Sequence, residues 1–362
     1  MADYSIYQGP VPEWEEFVRA TNYVNASLEG VTPEQLREAT NAARIQASRA
    51  LISSLGLNDS VIWHDYSILT RDQQNIIARV YRPRHLEKPQ GLPVFLHFHG
   101  GGFLYGNVES EDSSCARIVA ACSTPVMVIN VNYRHTPEYK HPTAHNDAWD
   151  SFEWLSENIS ALGGDPNRVI VGGVSAGGCL AASIALRYAE DKMKDMGQPS
   201  SSSSPYCTIQ GQVLCIPWLV HPAVHPSAAA TLSSFNQNQM APVLPAAALT
   251  LFANLLGDAA KLDPYFNVAL APDETLAHSP KSAFLIAGQD LLRDEGLYFA
   301  EKLKKNGIPT KTAVFPGLPH GFRRFPELRS TARWEELIVE SLEWCLCDDT
   351  TSTFRVERVE YN

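Results

Sequence analysis

The sequence predicts an α/β protein whose mainly parallel, eight-stranded sheet is flanked by helices. Short apolar, β-branched runs alternate with helix-length segments from residue 93 onward, and this alternation implies right-handed crossovers with helices on both faces. The first two apolar runs are separated only by the short polar turn Arg71-Asp-Gln-Gln74, which indicates a hairpin. We therefore expect a mixed sheet with an antiparallel edge.

Each strand and helix is predicted from a local pattern of apolar and polar residues. The predicted strands cover residues 61–69, 75–81, 93–98, 126–131, 168–173, 211–216, 283–287 and 311–315. The predicted helices between and after the later strands cover residues 109–122, 143–158, 175–190, 294–306 and 331–346. The fourth of these helices begins with Asp294 and Glu295, and acidic side chains stabilise the positive end of a helix dipole.

Two regions lie outside this alternation. Residues 1–50 contain helix starts at Pro12 and at Thr32-Pro33, which predict a helical segment that contributes to a cap. Residues 217–282 separate two strands by far more than an ordinary crossover, so we interpret them as an inserted helical cap. The catalytic domain then consists of residues 51–216 and 283–347. We expect residues 348–362 to form a tail, an added strand or a dimer contact. The sequence leaves open whether the protein is a homodimer.

Composition narrows the functional classes. Apolar residues make up 44% of the chain and charged residues 19%, which suits a large buried core. The net charge is -11 without a Lys/Arg cluster, which argues against nucleic acid and anionic membranes as partners and favours a neutral small molecule. With neither a leader nor 18 consecutive apolar residues, we expect a cytoplasmic protein without a membrane span. The seven cysteines are expected to be reduced packing residues.

A serine stands among glycines in Gly173-Val-Ser-Ala-Gly-Gly178, between an apolar strand and a helix-forming stretch. Small neighbours allow a sharp strand-to-helix turn that holds Ser175 in a strained conformation and exposes its hydroxyl at the carboxyl edge of the sheet. An incidental serine in a glycine-rich turn, or a phosphate-binding loop, would produce a similar pattern. The rest of the sequence favours a nucleophile.

Three glycines follow a histidine in His99-Gly-Gly-Gly-Phe103, at the end of the strand at 93–98. Consecutive glycines let main-chain N–H groups converge on a carbonyl oxygen, an arrangement that stabilises an oxyanion. The expected donors are the amides of Gly101, Gly102 and Ala176. A merely structural tight loop would not need three glycines in a row, given their entropic cost.

A serine nucleophile needs a base and an acid that orients the base, and in this kind of sheet they follow in the order Ser, Asp/Glu, His. Asp290 follows the strand at 283–287, and His320 follows the strand at 311–315. Both therefore lie at the same sheet edge as Ser175. Asp294 is the competing acid, but its position favours a capping role for the next helix.

Together with Asn132-Tyr-Arg-His-Thr-Pro-Glu138, these motifs resemble the hormone-sensitive-lipase-like branch of the α/β-hydrolases, over about residues 60 to 346. The resemblance implies the α/β-hydrolase fold, a helical cap, no cofactor, no metal and hydrolysis of carboxylic esters. It also implies structural roles for His99 and for the Tyr133, Arg134 and Glu138 motif. One departure is Val174, where the family commonly has an acid.

The resulting hypothesis is acyl transfer to Ser175 followed by attack of water, with His320 as the base. Substrates would be short to medium acyl, aromatic or natural-product esters, a lactone or a thioester. The pool of apolar residues from which the cap would select substrates is Phe103, Tyr105, Trp218, Leu219, Phe235, Phe252, Leu256 and Tyr265. An acyltransferase, a dehydratase and a non-catalytic small-molecule receptor on the same scaffold stay open as alternatives.

Overall fold

The computed structural model describes residues 3–25, 27–86, 90–195, 206–224, 233–347 and 356–359. Its strands are β1 (Val61–Leu69), β2 (Asn75–Pro83), β3 (Leu92–Phe98), β4 (Met127–Asn132), β5 (Gly164–Val174), β6 (Ile209–Cys215), β7 (Lys281–Gln289), β8 (Thr310–Pro319) and β9 (Val356–Arg358). They form one sheet in the order β1-β2-β4-β3-β5-β6-β7-β8-β9. The eight predicted strands are all present, and β9 adds a short parallel strand beside β8.

The sheet has the predicted antiparallel edge. β1 pairs antiparallel with β2, β2 pairs antiparallel with β4, and the remaining neighbours are parallel. The carboxyl ends of β5, β7 and β8 therefore meet at one edge, where the chain of each strand leaves the sheet. These are the three strands that precede Ser175, Asp290 and His320.

The α-helices are α1 (Pro12–Thr21), α2 (Pro33–Ser54), α3 (Leu57–Ser60), α4 (Asp112–Ala121), α5 (Thr143–Leu162), α6 (Ala176–Asp195), α7 (Ser234–Gln237), α8 (Ala246–Leu256), α9 (Asp273–Leu276), α10 (Arg293–Lys305) and α11 (Arg329–Leu346). One face of the sheet packs against α5, α6 and α10, and the other packs against α4 and α11. Adjacent residues of β7 show the alternation, because Phe284 joins the first core and Leu285 the second.

The long helix α2 begins as the sequence predicts. The Thr32 hydroxyl accepts from the Gln35 amide at 3.3 Å, and the Gln35 side chain accepts from the Thr32 amide at 3.0 Å, which completes a capping box. Further along the helix, Arg37, Asn41, Arg44 and Ser48 recur at helical spacing, and each is hydrogen-bonded to a residue between positions 100 and 138. This face fixes α2 against the glycine loop and the chain that follows it.

The inserted segment contains α7, α8 and α9, and its residues 225–232 lie outside the described residues, as does most of the tail. The division of the chain into cap and catalytic domain stays a prediction. All seven cysteines are free, and five of them are buried, in agreement with their predicted packing role. Among the described residues, no helix combines the length and the apolar character needed to cross a bilayer.

Candidate active site

The turn between β5 and α6 holds Ser175 in a left-handed conformation, with φ of 55°. Such a backbone costs free energy for a residue other than glycine, and here neighbouring hydrogen bonds support it. The Ser175 amide donates to the Cys215 carbonyl at 2.8 Å, and the Ser175 carbonyl accepts from the Trp218 amide at 3.2 Å. A Cβ at Gly177 would overlap the Phe98 carbonyl oxygen, so the turn requires glycine at this position.

The structure brings Ser175, His320 and Asp290 together from the ends of three strands. His320 Nε2 lies 3.0 Å from Ser175 Oγ, and His320 Nδ1 lies 2.7 Å from Asp290 Oδ2. All three residues are buried. Because a carboxylate only accepts hydrogen bonds, Nδ1 carries the proton and Nε2 is left to accept the hydrogen bond of the serine hydroxyl. This is the geometry of a serine activated by an oriented imidazole.

The loop after β7 holds Asp290 in place. Asp290 Oδ1 accepts from the Leu292 amide at 3.0 Å, and the Asp290 carbonyl accepts from Asn238 Nδ2 at 3.0 Å. Since Asn238 follows α7, the inserted segment supports the position of the acid.

Asp294, the competing acid, is used elsewhere. Its Oδ2 accepts from the amides of Ser233 and Ser234 at 2.7 and 2.8 Å, and its Oδ1 accepts from Arg293 Nε at 2.7 Å. The prediction that Asp294 caps its own helix is therefore wrong, because the carboxylate binds the amides at the start of α7. The next residue, Glu295, binds the Leu219 amide in the same way at 2.5 Å. Both acids fasten the inserted segment to α10.

The glycine loop lies directly beside the elbow. Gly101 and Gly102 have φ of 146° and 62°, and a Cβ at Gly102 would overlap the ring of Phe252. The main-chain amides of Gly101 and Gly102 donate no hydrogen bond to any group among the described residues. Ala176 is the first residue of α6, so its amide has no partner within the helix. These three amides are available to an oxyanion.

His99 supports this loop and does not contact the serine. Its ring stacks on Tyr133 at 4.4 Å between centroids, and the Tyr133 hydroxyl donates to the His99 carbonyl at 2.8 Å. Burial lowers the pKa of His99 well below its ordinary value, so the imidazole is neutral. Arg134 binds Asp147, and Glu138 binds Arg37 of α2. The motif 132–138 thus connects the loop, α2 and α5.

A cavity of about 90 Å³ opens onto Ser175 and His320. Of the predicted substrate-selecting residues, Tyr105 and Phe252 lie in its wall. The other six, which are Phe103, Trp218, Leu219, Phe235, Leu256 and Tyr265, pack in or against the hydrophobic core instead. Their apolar character reflects core packing, which is the commoner role for such side chains.

Much of the cavity wall was not predicted from the sequence. The missed lining residues are Arg44, Val174, Ile216, Val243, Leu244, Leu249, Arg323 and Arg324. Val174, which replaces the acid common in the resembling family, presents an apolar side chain to the cavity. Arg323 and Arg324 follow His320 by three and four residues, and this adjacency was the available sequence signal. No comparable signal pointed to Arg44, which reaches the cavity from α2.

Two of these arginines, Arg323 and Arg324, bind one buried carboxylate. Glu111 accepts from Arg323 Nη2 at 2.9 Å and from Arg324 Nη2 at 2.9 Å. Burial alone would raise the pKa of Glu111, but the two guanidinium groups hold it well below its ordinary value. Glu111 is therefore ionised at neutral pH. Among the described residues, no group of three or more His, Cys, Asp or Glu side chains is arranged to hold a metal ion.

Residues 95–324 match the family described as the alpha/beta hydrolase fold. Esterase LipI of Mycobacterium tuberculosis is 33% identical over 246 residues, which cover 68% of this chain and 70% of the relative. Ethyl acetate hydrolase of Pseudomonas putida is 31% identical over 317 residues, 86% of this chain and 92% of the relative. The solved structure of vibralactone cyclase has a TM-score of 0.80 and 26% identity, and the alignment covers 96% of this chain and 97% of the cyclase.

Proposed function

Because the chain belongs to the hormone-sensitive-lipase-like branch of the α/β-hydrolase fold family, we propose that it is a serine carboxylesterase that cleaves small esters through an acyl-enzyme on Ser175. The observation that carries the proposal is the continuous hydrogen-bond path from Ser175 Oγ through His320 to Asp290. The names of the two curated relatives, an esterase and an ethyl acetate hydrolase, support ester substrates.

In the acylation step, Ser175 Oγ attacks the ester carbonyl while His320 Nε2 takes its proton. The carbonyl oxygen becomes an oxyanion that the amides of Gly101, Gly102 and Ala176 stabilise. Asp290 holds the imidazole in the required tautomer and stabilises its charged form. His320 then gives the proton to the leaving alcohol oxygen, the C–O bond breaks, and the acyl-enzyme is formed.

Deacylation repeats these steps with water. His320 takes a proton from the water, whose oxygen attacks the acyl carbon, and the proton returns to Ser175 Oγ as the carboxylic acid leaves. The cavity of about 90 Å³ favours a short acyl chain. Its apolar wall around Phe252, Leu249 and Val243 supports binding of the alkyl portion.

Transfer of the acyl group to an acceptor other than water is the second candidate. The high structural similarity to vibralactone cyclase favours it, since the name of that protein describes a cyclisation rather than a hydrolysis. In this case an alcohol or another nucleophile would attack the acyl-enzyme in place of water. Product analysis by mass spectrometry in the presence of added alcohols separates the two outcomes.

The test is hydrolysis of 4-nitrophenyl acetate by the native protein and by Ser175→Ala. Ser183→Ala is a matched control, because Ser183 is also buried on α6 but lies outside the cavity wall. We expect Ser175→Ala to lose activity by about 10⁵-fold or more and Ser183→Ala to retain it. Equal activity in the native protein and in Ser175→Ala would refute the proposal.

A further inference from the structure

The cavity is lined by two chemically different sets of residues. Apolar residues such as Phe252 and Leu249 form one set, and the arginines Arg44, Arg323 and Arg324 form the other. A neutral alkyl ester needs only the apolar set. Three arginines beside a catalytic serine therefore need a separate explanation.

Arg44 has little compensation from its surroundings. Its Nη1 donates to the Gly100 carbonyl at 3.2 Å, and its guanidinium lies 5.5 Å from the centroid of the Tyr105 ring. An arginine has five N–H donors, and within the described part of the chain this is the only hydrogen bond that Arg44 makes. Burial and the neighbouring Arg324 charge lower the pKa of Arg44 well below its ordinary value. A bound anion would relieve both effects.

Arg44 differs from its two neighbours because it has no ion pair. Arg323 and Arg324 each bind the Glu111 carboxylate at 2.9 Å. Among the described residues, no carboxylate lies within ion-pair distance of Arg44, which binds the Gly100 carbonyl instead. A cation at a partly buried site without a paired anion is costly, which favours a role in binding.

Arg44 is also held in position. Asn41, one turn before it, accepts from the Gly106 amide at 2.7 Å, and Ser48, one turn after it, accepts from the Ser113 amide at 3.0 Å. The helix on both sides of Arg44 is thereby fixed to the catalytic domain. A fixed guanidinium loses less conformational entropy when it binds a ligand.

We propose that the substrate is an ester that also carries a carboxylate group, and that the Arg44 guanidinium binds this carboxylate while the ester carbonyl lies at Ser175. The inference rests on the proposed esterase function and specifies its substrate class. The planar guanidinium suits bidentate binding of a carboxylate. The carboxylate belongs either to the acyl portion or to the alcohol portion of the ester, and the two positions can be tested separately.

Two matched pairs of esters provide the test. In the first pair, mono-4-nitrophenyl succinate carries the carboxylate on its acyl portion, and its methyl ester is the neutral partner. In the second pair, 4-acetoxybenzoate carries the carboxylate on its alcohol portion, and its methyl ester is the neutral partner. We expect the native protein to prefer the anionic member of one pair in kcat/KM. Arg44→Gln should reduce that preference by about tenfold or more, chiefly through KM, because a hydrogen bond to a charged group is lost. Arg44→Lys should retain part of it.

Arg49→Gln is the control for net charge, since Arg49 lies on α2 with its side chain exposed and paired with Glu109. It should leave the preference unchanged. The inference fails if the native protein has the higher kcat/KM for the neutral member of both pairs. It also fails if Arg44→Gln lowers kcat/KM equally for the anionic and the neutral member, because Arg44 then only supports the glycine loop.

Calorimetry on Ser175→Ala separates this failure from failure of the esterase proposal. The expected result is tighter binding of the anionic ester than of its neutral partner, and loss of this difference when Arg44→Gln is added. If no ester is cleaved but the binding difference is present, the esterase proposal fails and the carboxylate site stands. If the esters are cleaved without a binding difference, the carboxylate site is refuted.

Discussion

Replacing Asp290 by Asn tests the hydrogen-bond path through His320. During acylation His320 becomes an imidazolium, and its Nδ1 lies 2.7 Å from the Asp290 carboxylate. With charge centres about 4 Å apart and an effective dielectric constant of about 20, this attraction is about 4 kcal/mol. Its loss corresponds to about 10³-fold in rate, and an asparagine that favours the wrong tautomer extends the loss toward about 10⁴-fold. We therefore expect kcat to fall by about 10³- to 10⁴-fold.

The assay is 4-nitrophenyl acetate hydrolysis, with far-UV circular dichroism to verify folding. Asp294→Asn is the matched control, since Asp294 is an equally buried acid that binds Arg293 and the start of α7. This variant should lose about 3 kcal/mol or more of stability, because a buried ion pair is broken. Its kcat at a temperature where it is folded should stay within about tenfold of native. A folded Asp290→Asn protein with kcat within tenfold of native would refute the reasoning.

Three further predictions concern the cavity and its support. Gly102→Ala should lower kcat by about 10²-fold or more, because its Cβ would displace Phe252 and disturb an oxyanion donor; unchanged kcat on 4-nitrophenyl acetate would contradict this. Phe252→Ala should raise kcat/KM for the hexanoate relative to the acetate by about tenfold, because the cavity lengthens; an unaltered chain-length profile would count against it. Glu111→Gln should reduce the free energy of unfolding at pH 7 by about 3 kcal/mol or more, since Arg323 and Arg324 lose their carboxylate. The folded-state pKa of Glu111 is depressed below its ordinary 4.5, so this stabilisation is complete above about pH 5 and declines as pH falls. In urea titrations the difference from native should narrow by about 2 kcal/mol between pH 7 and pH 3, and an equal difference at both values would be inconsistent with an ionised Glu111.

The local sequence pattern is sufficient to predict the sheet and the residues at the ends of its strands. Alternation of strand and helix predicts parallel order, and parallel order places the carboxyl ends of β5, β7 and β8 at one edge. That rule leads to Ser175, Asp290 and His320 without knowledge of any distance. The glycine loop after β3 was also predictable, because consecutive glycines indicate an unusual backbone conformation or a close approach of two groups.

The cavity wall could not be predicted in the same way. The sequence does not distinguish an apolar residue that lines a cavity from one that fills a core. Here Trp218 and Leu256 fill the core. Arg44 reaches the cavity only because α2 docks through Arg37, Asn41 and Ser48, and such docking is a tertiary contact that no local pattern encodes. The role of Asp294 depended in the same way on where α7 lies.

The most direct measurement is a crystal structure of the protein after reaction with a 4-nitrophenyl alkylphosphonate. We expect a covalent bond between phosphorus and Ser175 Oγ, with the phosphonyl oxygen about 2.7 to 3.1 Å from the amides of Gly101, Gly102 and Ala176. His320 should remain hydrogen-bonded to Asp290. A phosphonate attached to another residue, or an unmodified Ser175 in a protein inactivated by the reagent, would show that Ser175 is not the nucleophile.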